Sequence, residues 1–430
     1  MNIAFHTLGC KLNFSETSFI INDIKNAGFK EVNFDEFADT YVINTCSVTE
    51  NANKECQYLV RKVLKKNPDA KIVIMGCYAQ LKPEEIARIN GVDLILGNNE
   101  KFKLKKFLSS LSKKNNTQII RKDTEELNDF QSAFSSGNRT RSFLKIQDGC
   151  NYKCSFCTIP LARGKSRSDN VENIISRIKE IKKNDVKEIV LTGVNIGDFQ
   201  SHKNEKFIDL LKEIDKIKDL RIRISSIEPN LINNDIIKLI SNSKIFVPHF
   251  HIPLQSGSDT ILKLMKRRYL TKYYQSLIKR INDNIENVCI GVDVIVGFPG
   301  ESEDLFNETV NFIKSLNISY LHVFTYSERE NTSAQRMNNS VPIHVRKYRS
   351  KVLRNLSDKK KRYFYQKNIG YVKEILFENQ VIDGYIYGFS ENYIKVQAKY
   401  NENLINKLQK FTIKNIQHNK TTFAQGTLTN

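Results

Sequence analysis

Three cysteines within eight residues constrain this chain more than any other feature. Cys150, Cys154 and Cys157 follow a C-x3-C-x2-C spacing, and thiolates this close together form a metal site. Structural zinc takes four ligands in a closed tetrahedron, whereas an iron–sulfur cluster held by three cysteines leaves one iron free for a substrate or cofactor. Three ligands therefore predict a site for chemistry.

The residues around these cysteines argue against the alternatives, which are buried core thiols and an incomplete zinc knuckle. Residues 143–146 alternate as a short strand does, and residues 147–149 break the pattern, so the cysteines fall on the following loop. The distinctive segment also continues beyond the cysteines, through Arg163-Gly164 to Ser166-Arg167-Ser168.

Length and composition set the broad class. A chain of 430 residues predicts roughly three domains of about 150 residues each. The amino terminus lacks a basic segment followed by an apolar one, and no run of about 18 apolar residues occurs, so we expect a soluble cytoplasmic protein with no membrane span. In that reducing compartment cysteines are expected to be ligands or core residues, and core packing is the expectation for Cys56 and Cys289.

The basic charge is concentrated locally. The formal net charge is +20, and residues 101–122 hold eight basic side chains and no acidic one. Residues 346–362 hold nine basic side chains, with Asp358 as the one acidic residue. Such runs favour contact with the phosphates of a polyanion, although a solvated helix face explains any single run equally well.

The first hundred residues alternate strand and helix patterns, which predicts a parallel α/β sheet. Its strands are expected at residues 2–7, 40–44, 71–75 and 92–96. Cys10, Cys46 and Cys77 each follow one of these strands. Because ligands gather at the carboxyl ends of strands in such sheets, a second three-thiolate cluster is expected there. Three buried thiols remain the alternative.

The rest of the chain divides into a linker and two further domains. After a first domain over residues 1–112, the polar residues 113–139 are interpreted as a linker. Residues 140–365 then predict six β/α repeats and an open partial barrel, with strands at residues 143–147, 188–192, 221–225, 250–254, 288–296 and 321–326. Residues 366–430 predict a small all-β domain, in which seven basic and five acidic side chains from residue 371 onward do not by themselves indicate nucleic-acid binding.

Side chains at the carboxyl ends of barrel strands face the active-site mouth. The candidates at these ends are Thr192, Gly193, Asn195, Ser226, Glu228, Gln255, Asp293 and Gly297.

Two cysteine triads in this order, the Arg163-Gly164 tail and a short β domain resemble the radical S-adenosylmethionine (SAM) methylthiotransferases along the whole chain. The sequence is most similar to the bacterial enzymes that act on N6-threonylcarbamoyladenosine in tRNA, on the evidence of the segment from Thr7 to Thr17 and of Ser166-Arg167-Ser168. Relatives that modify isopentenyladenosine usually have Gln where Lys11 stands.

The resemblance implies roles for these residues. Cys150, Cys154 and Cys157 would be catalytic, holding the [4Fe-4S] cluster that binds SAM, and Cys10, Cys46 and Cys77 would hold an auxiliary [4Fe-4S] cluster. The strand-end residues would bind SAM, and a 5'-deoxyadenosyl radical would remove the hydrogen from carbon 2 of adenine, because no protein base can usefully deprotonate that bond. The family further implies a TRAM-like last domain, a tRNA substrate modified at position 37 and an electron donor such as flavodoxin or ferredoxin.

Rival interpretations predict different chemistry. The nearest change the substrate, to isopentenyladenosine in tRNA or to a ribosomal protein. An RNA-binding protein with a structural iron–sulfur cluster would not cleave SAM. A nucleotidase is disfavoured, because Gly164-Lys165-Ser166 resembles the end of a P-loop but Ile159 stands where the first glycine is required.

Overall fold

The structure, a computed structural model, describes residues 1–47, 50–113, 116–127, 129–135, 140–418 and 422–429. In these ranges the polypeptide forms a parallel sheet, a curved parallel sheet with helices outside it, and a closed β-barrel. No helix in the same ranges combines the length and the apolar character that crossing a bilayer requires.

The first sheet is parallel throughout, in the order β2-β1-β3-β4-β5-β6. Its strands are β1 (Asn2–Thr7), β2 (Lys30–Val32), β3 (Thr40–Thr45), β4 (Lys71–Gly76), β5 (Leu94–Leu96) and β6 (Gln118–Ile120). Its helices are α1 (Lys11–Asn26), α2 (Glu50–Lys66), α3 (Cys77–Leu81), α4 (Pro83–Ala87) and α5 (Leu104–Leu108). The four predicted strands are confirmed, whereas β2 was not predicted and β6 lies in the segment interpreted as a linker.

The second region has a curved surface made of two hydrogen-bonded sheets, β12-β11-β8-β7 and β13-β14-β15, while β9 and β10 pair separately with each other. Single parallel bridges from Ile222 to Phe246 and from Ser226 to His251 join them, so the curved surface continues across the break. The strands are β7 (Ala133–Phe134), β8 (Arg141–Lys145), β9 (Gln147–Asp148), β10 (Arg167–Ser168), β11 (Glu188–Thr192), β12 (Arg221–Ile224), β13 (His249–His251), β14 (Cys289–Val296) and β15 (Tyr320–Thr325). The six predicted strands are confirmed, as β8 and β11 to β15.

Helices cover the outer face of this curved sheet. They are α7 (Val171–Lys183), α8 (Phe207–Asp215), α9 (Asn234–Asn242), α10 (Asp259–Leu264), α11 (Thr271–Asn284), α12 (Glu303–Ser315) and α13 (Ile343–Gln366), whereas the short α6 (Ile159–Arg163) lies against α3 of the first region. Buried Ile, Leu and Val side chains of the strands pack against them in the largest core cluster. The inner face carries charged and imidazole side chains such as Glu188, Arg223 and His251, which is unusual because parallel sheets are normally apolar on both faces.

The last region is a closed barrel in the order β16-β17-β18-β20-β19. Its strands are β16 (Val372–Ile382), β17 (Tyr385–Ser390), β18 (Lys395–Lys399), β19 (Leu408–His418) and β20 (Thr422–Leu428). The barrel covers the amino-terminal ends of the curved sheet, where Arg221 at the start of β12 pairs with Glu374 at 2.7 Å and Arg141 at the start of β8 pairs with Glu378. It therefore lies at the end of the curved sheet opposite the cysteine loop.

Part of each basic run is internal, which corrects the expectation that the runs face phosphate. Lys101 is fully buried and donates to Glu16 at 2.6 Å. Arg349 of α13 is buried beside Glu301 at 2.7 Å. A run of basic residues does not reveal which of them turn inward, because their acidic partners lie far away in the sequence.

Candidate active site between two cysteine triads

The first cysteine triad lies on the loop between β9 and α6, at the carboxyl end of the curved sheet. The backbone N–H of Tyr152 lies 3.4 Å from Sγ of Cys150, and the N–H of Ile159 lies 3.5 Å from Sγ of Cys157. The charges of Cys150 and Cys154 both contribute to raising the pKa of Cys157, so the three sulfurs lie close together. The loop thus brings together the three cysteines that the sequence predicted as a site.

Burial raises the pKa of all three thiols, to about 11 for Cys150. At Cys154 the guanidinium of Arg267 opposes this rise in pKa, with Nη1 at 3.0 Å from Sγ. Metals bind thiolates, so loading a metal here must release protons into solution. Three convergent thiols, one of them beside a buried cation, fit the three-cysteine iron–sulfur site inferred from the spacing.

Arg267 was not predicted, and it connects the triad to a predicted residue. Its guanidinium also pairs with Glu228, and Nε donates to the hydroxyl of Tyr269 at 3.1 Å. Glu228 therefore lies beside the cysteine loop, although the residue that joins them is 39 positions further along the chain. No sequence motif indicated Arg267.

The second triad forms where three neighbouring strands of the first sheet end. Cys10 precedes α1, Cys46 follows β3, and Cys77 is the first residue of α3. Gly9 has φ +96°, and a Cβ on it would lie 2.6 Å from Cβ of Cys46. The charge of Cys77 contributes to raising the pKa of Cys10, so these two thiols also lie close together. The structure therefore brings these three thiols together, and no cysteine in the described residues forms a disulfide.

The two triads share one region of the molecule. Nδ2 of Asn98 lies 3.7 Å from Sγ of Cys77 and donates at 2.7 Å to the carbonyl of Ala162, on the helix that follows the other triad. Arg163, the last residue of that helix, is close enough to lower the pKa of Cys10, although burial raises this pKa more strongly. The cysteine loops thus approach each other across the boundary between the two sheets.

A buried ionic network fixes this boundary. Glu16 of α1 accepts from Lys101 at 2.6 Å, from Lys145 at 2.9 Å and from both terminal nitrogens of Arg163 at 3.0 Å. Asp148 of β9 pairs with Lys145 at 2.7 Å and with Arg163 at 2.9 Å. These cations hold the pKa of Glu16 and of Asp148 below the usual carboxyl range, despite burial. Sequence reasoning missed Lys101, Lys145 and Asp148 as partners.

Several of the predicted strand-end residues carry buried polar atoms without a hydrogen-bond partner in the part of the chain that the structure describes. They include the hydroxyl of Thr192, both amide atoms of Asn195 and Oε1 of Gln255. Such atoms are rare in folded proteins unless a ligand or water satisfies them. A Cβ on the adjacent Gly193 would lie 2.9 Å from Oε1 of Gln147. This donor and acceptor set fits a polar ligand such as SAM.

A cavity of about 240 Å³ opens beside the first triad. Cys157, Gln255 and Asp293 line it, together with the rings of Phe324 and Tyr326. Aromatic walls with a few polar groups are typical of small-ligand pockets. Two of the predicted strand-end residues, Gln255 and Asp293, are thus placed at one pocket with a cluster cysteine.

Two other predicted residues have clear structural contacts. Gly297 has φ +73°, and a Cβ on it would lie 2.3 Å from Cγ of Arg346, so it allows α13 to pack closely. Ser226 forms the backbone bridge with His251 that joins the two halves of the curved sheet.

A cluster of His251, Asp293 and His322 lies on the inner face below the cavity. Their ligand atoms lie within 4.8 Å of one another, and Nε2 of His251 is 2.7 Å from Oδ1 of Asp293. Burial and the cations Lys11 and Lys361 lower the pKa of His322. His251 and Asp293 thus form a hydrogen-bonded pair on the inner face, and the ring of His322 lies 5.2 Å from that of His251.

Lys11, the first residue of α1, projects into the same space. Its side chain is accessible to solvent yet surrounded by protein, and this burial lowers its pKa to about 8. The field of Lys11 reaches Asp293 on β14 and Arg223 on β12. A side chain that follows a cysteine of the second triad thus enters the concave side of the curved sheet.

The fold and the site agree with the comparisons to known proteins. Residues 144–313 match the family described as the radical SAM superfamily, and residues 2–97 match one described as uncharacterized protein family UPF0004. The solved radical SAM methyltransferase TsrM from Kitasatospora setae superposes with a TM-score of 0.56, at 12% identity, over 78% of this chain and 74% of its own. The fold and the three-cysteine loop define a radical SAM enzyme.

Proteins of similar sequence indicate which kind of radical SAM enzyme this chain is. A threonylcarbamoyladenosine tRNA methylthiotransferase MtaB from Bacillus subtilis is 39% identical, over 96% of this chain and 93% of its own. The protein of that name from Aquifex aeolicus is 37% identical, over 93% and 97%. A tRNA-2-methylthio-N(6)-dimethylallyladenosine synthase from Endomicrobium trichonymphae is 32% identical, over 97% and 98%. The chain belongs to the radical SAM methylthiotransferase family, whose cofactors are SAM and [4Fe-4S] clusters.

Proposed function

We propose that this enzyme methylthiolates carbon 2 of N6-threonylcarbamoyladenosine at position 37 of tRNA, next to the anticodon. The observation that carries the proposal is that two three-cysteine sites approach each other across one boundary, with Arg163 close to both. Two similar proteins at 37% and 39% identity are named for this substrate, and the one named for dimethylallyladenosine is 32% identical.

We assign a different task to each triad. Cys150, Cys154 and Cys157 would hold the cluster that binds SAM, and Cys10, Cys46 and Cys77 a second [4Fe-4S] cluster. When bound, these groups supply hydrogen abstraction at an unactivated carbon and a sulfur for transfer. Among the strand-end residues, Thr192, Gly193, Asn195, Ser226, Glu228, Gln255, Asp293 and Gly297 are proposed to form or support the SAM site.

The protein's own contribution is placement and shielding. Arg267 stabilises the thiolate of Cys154, and Glu228 holds the Arg267 side chain in place. The unpartnered amide of Asn195 and Oε1 of Gln255 would orient a polar ligand in the cavity. Holding reactants in a fixed relative orientation is a major source of rate acceleration.

The architecture supports a finer description of the domains. We propose that residues 140–365 form a (β/α)6 partial TIM-like barrel, that residues 1–112 form the methylthiotransferase domain, with residues 113–139 as connector, and that residues 366–430 form a TRAM-like domain. The exposed face of α13, with Lys351, Arg354, Lys359 and Arg362, is a candidate surface for the tRNA backbone. Flavodoxin or ferredoxin is the proposed electron donor, in the cytoplasm.

Deleting the gene and digesting total tRNA to nucleosides tests the substrate. Methylthio-threonylcarbamoyladenosine should disappear, and its unmethylthiolated precursor should accumulate. Complementation with the wild-type gene should restore the product, whereas complementation with Cys154→Ala should not. Loss of methylthio-isopentenyladenosine alone would contradict the assignment and favour the nearest rival.

A further inference from the structure

Lys11 begins α1, and Glu16 of the same helix accepts from Lys145 of β8 at 2.9 Å, so α1 lies against the inner face of the curved sheet. The groups on which the charge of Lys11 acts agree with this placement, because they come from all six parallel strands of that sheet, namely Arg141, Glu188, Arg223, His249, Asp293 and His322. A point near residues of every strand can lie only inside the curve. Lys11 therefore projects from α1 into the hollow of the sheet, below the two triads.

The ammonium group of Lys11 has no carboxylate of its own. In the part of the chain that the structure describes, Lys11 makes neither an ion pair nor a side-chain hydrogen bond. The two acidic groups within its field already have partners: Glu188 pairs with Arg223 at 2.8 Å, and Oδ1 of Asp293 accepts from Nε2 of His251 at 2.7 Å. An unpaired cation thus faces an open space.

The space that Lys11 faces lies close to both triads. Lys11 directly follows Cys10 of the second triad, and the cavity beside Cys157 of the first triad shares Asp293 with the surroundings of Lys11. A base that reacts between the two triads would therefore have its substituents within reach of Lys11. Placement of an unpaired ammonium beside a reaction site favours an anionic substituent.

We propose that Lys11 binds the carboxylate of the threonylcarbamoyl group and so selects this substrate. The inference rests on the function proposed above. Threonylcarbamoyladenosine carries one carboxylate on its N6 substituent, whereas the dimethylallyl group carries no charge. A neutral substituent would displace water from Lys11 without pairing with its charge. The resulting cost in desolvation free energy would discriminate against the wrong substrate.

The test measures binding of two anticodon stem-loops by the reconstituted holoenzyme. One stem-loop carries N6-threonylcarbamoyladenosine, and the other carries the same nucleoside with its carboxylate converted to a methyl amide. A hydrogen bond to a charged group predicts that wild type prefers the free carboxylate by roughly 10- to 100-fold. The preference should fall below about threefold in Lys11→Gln and should be largely kept in Lys11→Arg.

The ratio of the affinities for the two stem-loops is insensitive to partial misfolding, because inactive protein lowers the active concentration equally in both measurements. Iron content is measured in each variant to detect damage near Cys10. Lys25→Gln is the matched control, since Lys25 lies at the other end of α1, is exposed and pairs with Glu31 at 2.5 Å. It should keep the wild-type preference.

Three outcomes separate this inference from the proposed function. If wild type methylthiolates threonylcarbamoyladenosine in tRNA but Lys11→Gln keeps the carboxylate preference, the role of Lys11 is wrong and the function stands. A wild-type enzyme that shows no carboxylate preference also overturns the role of Lys11. If gene deletion removes only the isopentenyl product, the proposed function itself fails.

Discussion

The guanidinium of Arg163 donates two parallel hydrogen bonds to the carboxylate of Glu16, each 3.0 Å long. Arg163 ends the helix behind the first cysteine triad, and Glu16 lies on the helix that begins directly after Cys10. Both side chains are almost completely buried. Because this contact joins the elements that carry the two triads, it sets how the two sites face each other.

We expect Arg163→Met to weaken the boundary between the first two regions. Breaking a buried ion pair costs about 3–5 kcal/mol, since the remaining charge stays buried. Here Lys101 and Lys145 still neutralise Glu16, so a loss near the lower value is expected. The midpoint of the first urea transition measures the loss.

Arg177→Met is the matched control for Arg163→Met. Arg177 also pairs with a carboxylate, that of Glu180 at 2.7 Å, but both side chains are nearly half exposed. Exposed pairs contribute about 0–1 kcal/mol. Equal midpoints for the two variants would show that the buried network does not hold the regions together.

The stability of the fold should depend on pH through His249. This ring is buried among cations, and burial lowers its pKa well below 6.5, with Arg223, His251, Lys11 and His322 adding to the effect. His249 is therefore neutral in the folded protein, while in the unfolded chain it takes up a proton below about pH 6.5. Stability from this group is full above that pH and is lost as pH falls.

His249→Gln should flatten this dependence. Between about pH 7 and 5.5, wild type should lose roughly 1 kcal/mol more unfolding free energy than the variant, as the linkage of about 1.4 kcal/mol per pH unit implies. Urea unfolding at both pH values measures it. The control is His202→Gln on an exposed loop, and equal slopes in His249→Gln and wild type would exclude this role.

The exposed basic face of α13 should contribute to tRNA affinity. Changing Lys351, Arg354, Lys359 and Arg362 to Glu should weaken binding and make the plot of log affinity against log salt shallower, by about 0.9 for each lost phosphate contact with duplex RNA. Lys360 is left unchanged because it donates to the backbone at Leu316, at 2.7 Å.

A second variant, with two reversed charges, controls for charge reversal elsewhere on the surface. Lys212→Glu and Lys238→Glu alter exposed positions on α8 and α9, away from α13. Their salt dependence should match that of wild type. If the α13 variant also keeps the wild-type slope, its basic residues form a solvated helix face and nothing more.

The sequence predicted the features that depend on local residue patterns. It did not predict the features that depend on contacts between residues far apart in the chain. Alternating apolar residues located the strands that precede Cys46 and Cys77, and the rule that parallel strands end at one edge brought those cysteines together. The edge strand β6 has three residues, and its strand character depends on pairing with β5. No local pattern could show this.

The same limit applies to charged residues. Lys101 stands in a basic run that looks solvated, yet it is buried because Glu16, 85 residues earlier, lies against it. Arg267 escaped prediction because its contact with Cys154 spans 113 residues. Gly297 was predicted to bind SAM because it follows a strand. Its positive φ and the close approach of Arg346 show that packing also favours glycine at this position.

The two triads should be separable by variants that remove each one. Replacing Cys150, Cys154 and Cys157 with Ala should abolish formation of 5'-deoxyadenosine, because SAM then has no iron to bind. Replacing Cys10, Cys46 and Cys77 with Ala should leave about three to four irons per chain, as one [4Fe-4S] cluster requires. This second variant should still cleave SAM but should not insert sulfur.

The result depends on measuring three quantities in each reconstituted variant: iron content, 5'-deoxyadenosine and methylthiolated tRNA. Cys289→Ala is the control, since this thiol is buried in a hydrophobic cluster that it shares with the carboxyl-terminal barrel and that contains no triad cysteine. An amino-terminal triple variant with wild-type iron that still methylthiolates tRNA would show that these cysteines are core thiols and that sulfur arrives by another route.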